Sequence, residues 1–234
     1  MRNSQHIGRT LMVSDIHGCY ESFRYLLENE WQITPDDVLY LLGDYIDRGP
    51  ASREVVDYIL NLQEKGYTVY TLMGNHEDMM LAAKEDDLQF RNWLINGADT
   101  TLESFGVSHP EHLHQDYKEF FQGLTFYYEL TNSFLVHAGF NFSRDDPFSD
   151  YPSMLWIRDF TVDSAQLKEK FMIHGHTPVS PQHIQQAIDR RELNMNIDTG
   201  CVFNHIPGLG FLCGLNLDTF ETRFVKNIEN AEEL

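Results

Sequence analysis

Apolar positions along the chain recur in a fixed order through its first third. Residues 10–14 (TLMVS) form a short apolar run with the length of a buried strand. A polar loop follows, and then residues 20–30 place Phe23, Leu26 and Leu27 on one face, which predicts a helix. The cycle repeats with an apolar run at 38–42 and a helix over 52–65, whose apolar positions are Val55, Val56, Ile59, Leu60 and Leu62. A third run at 68–73 leads into a helix from residue 77. Three such units in succession predict parallel strands joined by right-handed crossovers.

Residues 81–123 break the rhythm. They mix polar and aromatic residues without sustained alternation and read as a mainly helical insertion. Strand patterns resume at 126–130, 134–137 and 171–174. The tail, at 184–188, 193–197, 210–217 and 222–225, is expected to be antiparallel, with Asp189-Arg190-Arg191-Glu192 at a hairpin tip. No repeat, low-complexity tract or linker interrupts the 234 residues, so one α/β domain over 1–234 is expected.

Composition narrows the picture. No apolar run is long enough to span a bilayer, and Met1-Arg2-Asn3-Ser4-Gln5-His6 lacks the apolar stretch of a signal peptide. The three cysteines, Cys19, Cys201 and Cys213, cannot all pair within the chain and show no CxxC spacing, which fits a reducing, cytoplasmic setting. They read most simply as buried small hydrophobes, with Cys19, beside one of the loops described next, a candidate for oxidation. The formal charge of −19 argues against nucleic acid as a partner, because such binding leans on Lys and Arg contacts to phosphates. An acidic chain can still receive a phosphate anion where bound cations reverse the local field.

Five loops, each directly after an expected strand, carry the candidate chemistry. They are Asp15-Ile16-His17-Gly18, Gly43-Asp44-Tyr45-Ile46-Asp47-Arg48-Gly49, Gly74-Asn75-His76-Glu77, His137-Ala138-Gly139 and His174-Gly175-His176. Ligands of open α/β sheets collect beyond the carboxyl ends of strands, so these loops are expected to converge. Asp15, His17, Asp44, Asn75, His137 and His176 would then offer nitrogen and oxygen donors without thiolate. That set suits Mn, Fe or Zn and suits a structural cysteine-type zinc site poorly. Six ligands sharing one carboxylate match two ions about 3.5–4 Å apart, a pair that acidifies water and neutralises phosphoryl oxygens.

The five loops in this order resemble the signature of the calcineurin-like metallophosphoesterases. GDYIDRG with GNHE is similar to the serine/threonine protein phosphatase branch, in its bacterial and phage-lambda type, over residues 11–217. The tail, Asn196-Ile197-Asp198-Thr199-Gly200, differs from the carboxyl-terminal motif of eukaryotic members. The resemblance implies a two-sheet β sandwich flanked by helices, an α/β/β/α arrangement. It also implies two divalent metal ions, with Mn first and Fe or Zn as alternatives. Asp15 and His17 would bind the first metal, Asp44 would bridge, and Asn75, His137 and His176 would complete the second. His76 resembles the family's general acid, with Asp47 as its orienting partner. Arg48 matches a phosphate-binding arginine, and Arg158, in Leu155-Trp156-Ile157-Arg158, is similar to a second phosphate clamp. The chemistry agrees: a serine alkoxide leaves poorly and gains from a carboxylate-held imidazolium, and the planar fork of arginine fits a phosphoryl group.

The leading expectation is a phosphomonoesterase acting on phosphoserine or phosphothreonine proteins, and also on small phosphoesters. A symmetrical dinucleoside tetraphosphate hydrolase is the alternative. Those enzymes resemble GDLVARG at the second loop and lack the aspartate that stands here at Asp47. A non-catalytic scaffold is a third reading, which the filled ligand positions disfavour. Bland readings stay open for single residues: Arg48 as a structural ion-pair partner and Arg158 packed beside Trp156; Trp93-Leu94-Ile95-Asn96-Gly97 resembles a segment common in the bacterial branch and reads mainly as packing. His174, two residues from His176, would point the opposite way along a strand, and His109, His112 and His114 read as exposed.

Overall fold

The computed structural model describes residues 8–84 and 86–229, so the amino-terminal residues read above for a signal peptide lie outside the described residues. Two mixed sheets pack face to face. In the first, strands run in the order β3 (Thr68–Thr71), β2 (Val38–Leu41), β1 (Thr10–Val13), β8 (Phe211–Asn216), β9 (Glu221–Lys226). The β1–β2 and β2–β3 pairs are parallel, as the three βα units predict, and β8 and β9 add an antiparallel hairpin. In the second, the order is β4 (Tyr127–Glu129), β5 (Ser133–Val136), β6 (Phe171–His174), β7 (Asn194–Asn196), with only β4–β5 antiparallel.

Strand alternation divides the apolar residues between three cores. On β1, Met12 faces inward with Tyr40, Cys213 and Leu215, against Leu135, Ile173 and Met195 of the opposite sheet. Its neighbours Leu11 and Val13 face outward, under helices α1 (Tyr20–Tyr25) and α2 (Ser52–Glu64). Helix α1 continues as a wider π-helical turn over Leu26–Trp31. Phe23, Leu26 and Leu27 are fully buried, as are Val55, Val56 and Ile59 of α2, so the amphipathic faces read from sequence are the ones that pack. The outer face of the second sheet is covered by Phe140, Met154 and Leu167. All three cysteines are free and buried, as small hydrophobes are.

Helix α3 (Asn75–Ala83) starts two residues before its expected position. Beyond it, α4 (Asp87–Ile95), α5 (Ala98–Phe105) and α6 (Gln115–Gln122) make the segment 81–123 helical, as expected. Three expectations for the tail fail. Residues 184–188 lie in helix α7 (Pro181–Asp189), not in a strand, and residues 189–192 form its carboxyl-terminal turn rather than a hairpin tip. The reason is visible locally: Ser180 caps the helix by accepting the His183 N–H at 3.3 Å, Pro181 occupies its first turn, and Ile184, Ala187 and Ile188 bury at helical spacing. Because a helix connects β6 to β7, that pair is parallel, so the tail is antiparallel only from β8 onward. Among the described residues, no helix is long and apolar enough to cross a membrane.

Candidate active site

The five loops meet at one end of the two sheets. The first two are zipped together, with the Ile16 and His17 amides donating to the Asp44 carbonyl at 3.0 and 2.8 Å. The last two are joined by the Gly175 amide, which donates to the His137 carbonyl at 2.8 Å. Glycine is required at Gly175, since a Cβ there would collide with the Asp15 carboxylate. His17, Asp44, Asp47, Arg48 and His176 all adopt left-handed backbone, with φ of 49, 52, 71, 71 and 73°. Backbone of that kind is uncommon outside glycine and is held here by the surrounding structure.

All six expected ligands are buried. His17, Asp44 and His76 bring one donor atom each within 4.8 Å of one another, and Asp44, His137 and His176 do the same. Asp44 is common to both groups. Asp15 lies alongside: one carboxylate oxygen accepts the His176 amide at 3.0 Å and lies 4.0 Å from His137 Nδ1. His76 also comes near His17, with ring centroids 4.7 Å apart. Its Nδ1, however, is engaged with Asp47 at 2.6 Å.

The geometry of the donor set fits cations. Nδ1 of His17 donates to the Ile46 carbonyl at 2.8 Å and Nδ1 of His137 to the Leu42 carbonyl at 2.9 Å. Burial lowers both rings toward the neutral form, so each Nε2 presents a lone pair. Yet His137 Nε2 faces Asn75 Oδ1 at 3.0 Å and Asp44 Oδ1 at 3.5 Å. Acceptors pointed at acceptors are reconciled by a shared cation. Asp15 Oδ2 and His176 Nε2 are buried with no hydrogen-bond partner, which in a native fold calls for an explanation. Buried His/Asp clusters of this kind fit the dimetal site of metallophosphoesterases.

Electrostatics agree. Burial pushes the Asp15 carboxyl well above its ordinary range, helped by the charges of Asp198 and Asp44. Asp44 is also penalised by burial, and what holds it well below the usual carboxylate range is positive charge at His137, His76 and His17, the place a cation would take once those rings are neutral. Burial, and then the proximity of His137, takes His176 down to about 3. Three carboxyl groups sharing one dry site all keep their charges only beside positive charge.

Arg48 reaches over the cluster: its guanidinium donates to His17 Nε2 at 2.7 Å and lies 5.5 Å from the Phe203 ring. Arg158 is exposed and donates to Thr177 Oγ1 at 3.0 Å. Its charge is among the causes that depress His137 and His176, so it stands within reach of the centre. Trp156 lies at the rim, 41% exposed, with its ring 6.4 Å from that of His176.

Four groups with no role assigned from sequence complete the site. Glu77 accepts the amides of Asp44, Tyr45, Ile46 and Gly74 at 2.9, 2.8, 3.3 and 3.0 Å. Trp93, read as packing, is indeed in the core, but its indole N–H also donates to Asp47 at 2.7 Å. Thr101 donates to the other Asp47 oxygen at 2.6 Å. Asp198 is buried beside the cluster and burial raises its carboxyl to about 7. Of these, Glu77 and Asp198 sit inside the motifs quoted above, whereas Thr101 carries no local signal. His174 is turned away, with Nδ1 donating to the Gly175 carbonyl at 3.1 Å, while His112 and His114 are exposed and His109 is half-buried against Phe90.

Comparison with known proteins supplies relatives for this arrangement. The family model of the calcineurin-like phosphoesterases matches residues 8–207. An asymmetrical bis(5'-nucleosyl)-tetraphosphatase of Bacillus subtilis is 28% identical over 235 residues, covering 86% of this chain and 89% of the relative. A symmetrical bis(5'-nucleosyl)-tetraphosphatase of Buchnera aphidicola is 44% identical over 73 residues, which cover 31% of this chain and 26% of the relative. A protein serine/threonine phosphatase from Saccharomyces cerevisiae shares the fold, with a TM-score of 0.64, 15% identity, and coverage of 96% of this chain and 81% of the other.

Proposed function

The chain belongs to the calcineurin-like phosphoesterase family, and from that premise we propose that this metal-dependent phosphoesterase hydrolyses dinucleoside polyphosphates, cleaving the phosphate chain asymmetrically. One observation carries the reading: similarity to an asymmetrical tetraphosphatase runs through 86% of this chain, whereas similarity to a symmetrical one is confined to 31%. The rim supports it. The exposed Trp156 indole and the Phe203 ring beside Arg48 offer flat faces that suit nucleobase stacking next to a phosphate-binding cation.

In this reading Asp15, His17 and Asp44 hold one divalent ion and Asp44, Asn75, His137 and His176 the other, with manganese the preferred occupant and iron or zinc its competitors. Bound there, the ions supply Lewis acidity, lowering the pKa of water and offsetting charge on the phosphoryl oxygens. Arg48 and Arg158 grip the phosphate chain, each offering paired donors to adjacent oxygens. His76 delivers a proton to the departing oxygen, its Nδ1–H anchored on Asp47.

A second reading rests on that anchor. A departing polyphosphate is a better leaving group than a serine or threonine alkoxide, so a buried His–Asp pair at 2.6 Å has most use on a phosphomonoester, as in protein phosphatases. The test is hydrolysis of diadenosine tetraphosphate beside a phosphothreonine peptide, using protein stripped of metal and reloaded with Mn. Release of ATP and AMP with a silent peptide supports the proposal. Two ADP would make the cleavage symmetrical, and rapid phosphate release from the peptide alone would establish the protein phosphatase instead.

A further inference from the structure

We infer that the helical segment 81–123 is a working part of the acid–base machinery, in which Trp93 and Thr101 are positioning residues that clamp the Asp47 carboxylate so that it holds His76 in one orientation. The inference rests on the reading of His76 as the general acid.

Asp47 is fully buried, so water cannot hold its carboxylate in place. The orientation is set instead by partners on two helices of the segment. Trp93, from α4, donates its indole N–H to Oδ2 at 2.7 Å, and Thr101, from α5, donates its hydroxyl to Oδ1 at 2.6 Å. Thr101 Oγ1 also accepts the Asp47 amide at 2.8 Å, so backbone and side chain of the same aspartate are tied to one hydroxyl. Ser52 supplies a further contact, 3.1 Å from that hydroxyl.

An indole N–H can only donate, so with Thr101 on Oδ1 both oxygens receive donors, which favours the charged carboxylate that accepts from His76 Nδ1–H. With Oδ1 taken by Thr101 and one side of Oδ2 by Trp93, the carboxylate cannot turn without stranding a buried donor. What remains of Oδ2 is aimed at His76, 2.6 Å away. A buried Trp needs some acceptor in any case, so a purely structural role is the reading to be separated out.

The experiment uses Mn-loaded protein, with metal content measured, and compares phenyl phosphate with p-nitrophenyl phosphate, whose leaving group needs no proton. Trp93→Phe and Thr101→Val should lose about 10–100-fold in kcat on phenyl phosphate, the usual effect of removing a supporting hydrogen bond, with KM and p-nitrophenyl phosphate turnover nearly unchanged. Thr101→Ser, which restores the hydroxyl, should recover phenyl phosphate turnover. Equal losses on both substrates would overturn the inference in favour of a fold role, and no loss would overturn it outright. His76→Asn, assayed in parallel, separates the layers. If it lacks leaving-group dependence, the acid reading falls and the clamp with it. If it shows that dependence and the clamp variants do not, only the clamp falls.

Discussion

The amide of Asp44 lies 2.9 Å from a carboxylate oxygen of Glu77, which sits in the first turn of α3. The same carboxylate takes three further amides, so the loop that presents Asp44 to the centre is wrapped around the start of the helix that presents Asn75 and His76. Two of the five motifs are thus one object mechanically.

Glu77→Ala should therefore act on stability and on metal binding together. It strands buried amides, each costing about 1–3 kcal/mol, and frees the Asp44 loop. We expect a loss of at least about 3 kcal/mol in urea denaturation. Weaker Mn binding, measured by titration calorimetry, should accompany it. A variant as stable as the parent would show that the amides find other partners.

His76→Asn should keep both metals, because the ring is anchored by Asp47 and is not needed as a ligand. Its kcat on a substrate with a poor leaving group should fall about 10²–10⁴-fold, the usual worth of a general acid. Steady-state kinetics with elemental analysis of the same sample checks both halves.

Asp44→Asn should do the reverse. It removes the charge shared by both donor groups, so metal occupancy falls first and turnover with it. Chelation of the parent protein should reproduce the loss of activity, and Mn should restore the parent but not the variant.

Away from the site, Asp37 accepts Arg9 Nε and Nη2 at 3.0 and 2.8 Å and the Thr34 amide at 2.9 Å. Burial opposes its charge, but the Arg9 hydrogen bonds and the amides overcome it and hold the carboxyl far below its ordinary value. A depressed carboxyl adds stability above the unfolded-state pKa of about 4 and loses it as pH falls below that value. Asp37→Asn should accordingly cost on the order of 2 kcal/mol at pH 7. The gap between variant and parent, read from urea midpoints, should narrow steadily below about pH 4.

Much of this was legible in the residues. The alternation of apolar runs and amphipathic stretches marked β1 to β3, α1 and α2, because each buries one simple face. Donor types and loop positions marked six candidate ligands, and all six are buried at the loop ends. Residues 184–188 misled because a five-residue stretch bounded by isoleucines fits strand or helix equally, and only the Ser180-Pro181 cap decides between them. The Asp47 clamp was not legible at all. Its hydrogen bonds to Trp93 and Thr101 span 46 and 54 residues; Trp93 stood in a segment read mainly as packing, and nothing local distinguishes Thr101 from an ordinary core residue. Asp198 was quoted only as part of a motif, since its proximity to Asp15 depends on how the two sheets pack.

The left-handed backbone at His17, Asp44, Asp47, Arg48 and His176 has a cost that falls on the whole molecule. Each such residue opposes folding by about 1 kcal/mol or more relative to glycine, so these five side chains are kept in spite of stability. At Arg48, the one of the five that is exposed, a copy of this chain released from selection for hydrolysis could drift to glycine and fold more firmly as it fell silent. In such a lineage decay would begin at the centre, with the surrounding sandwich left intact.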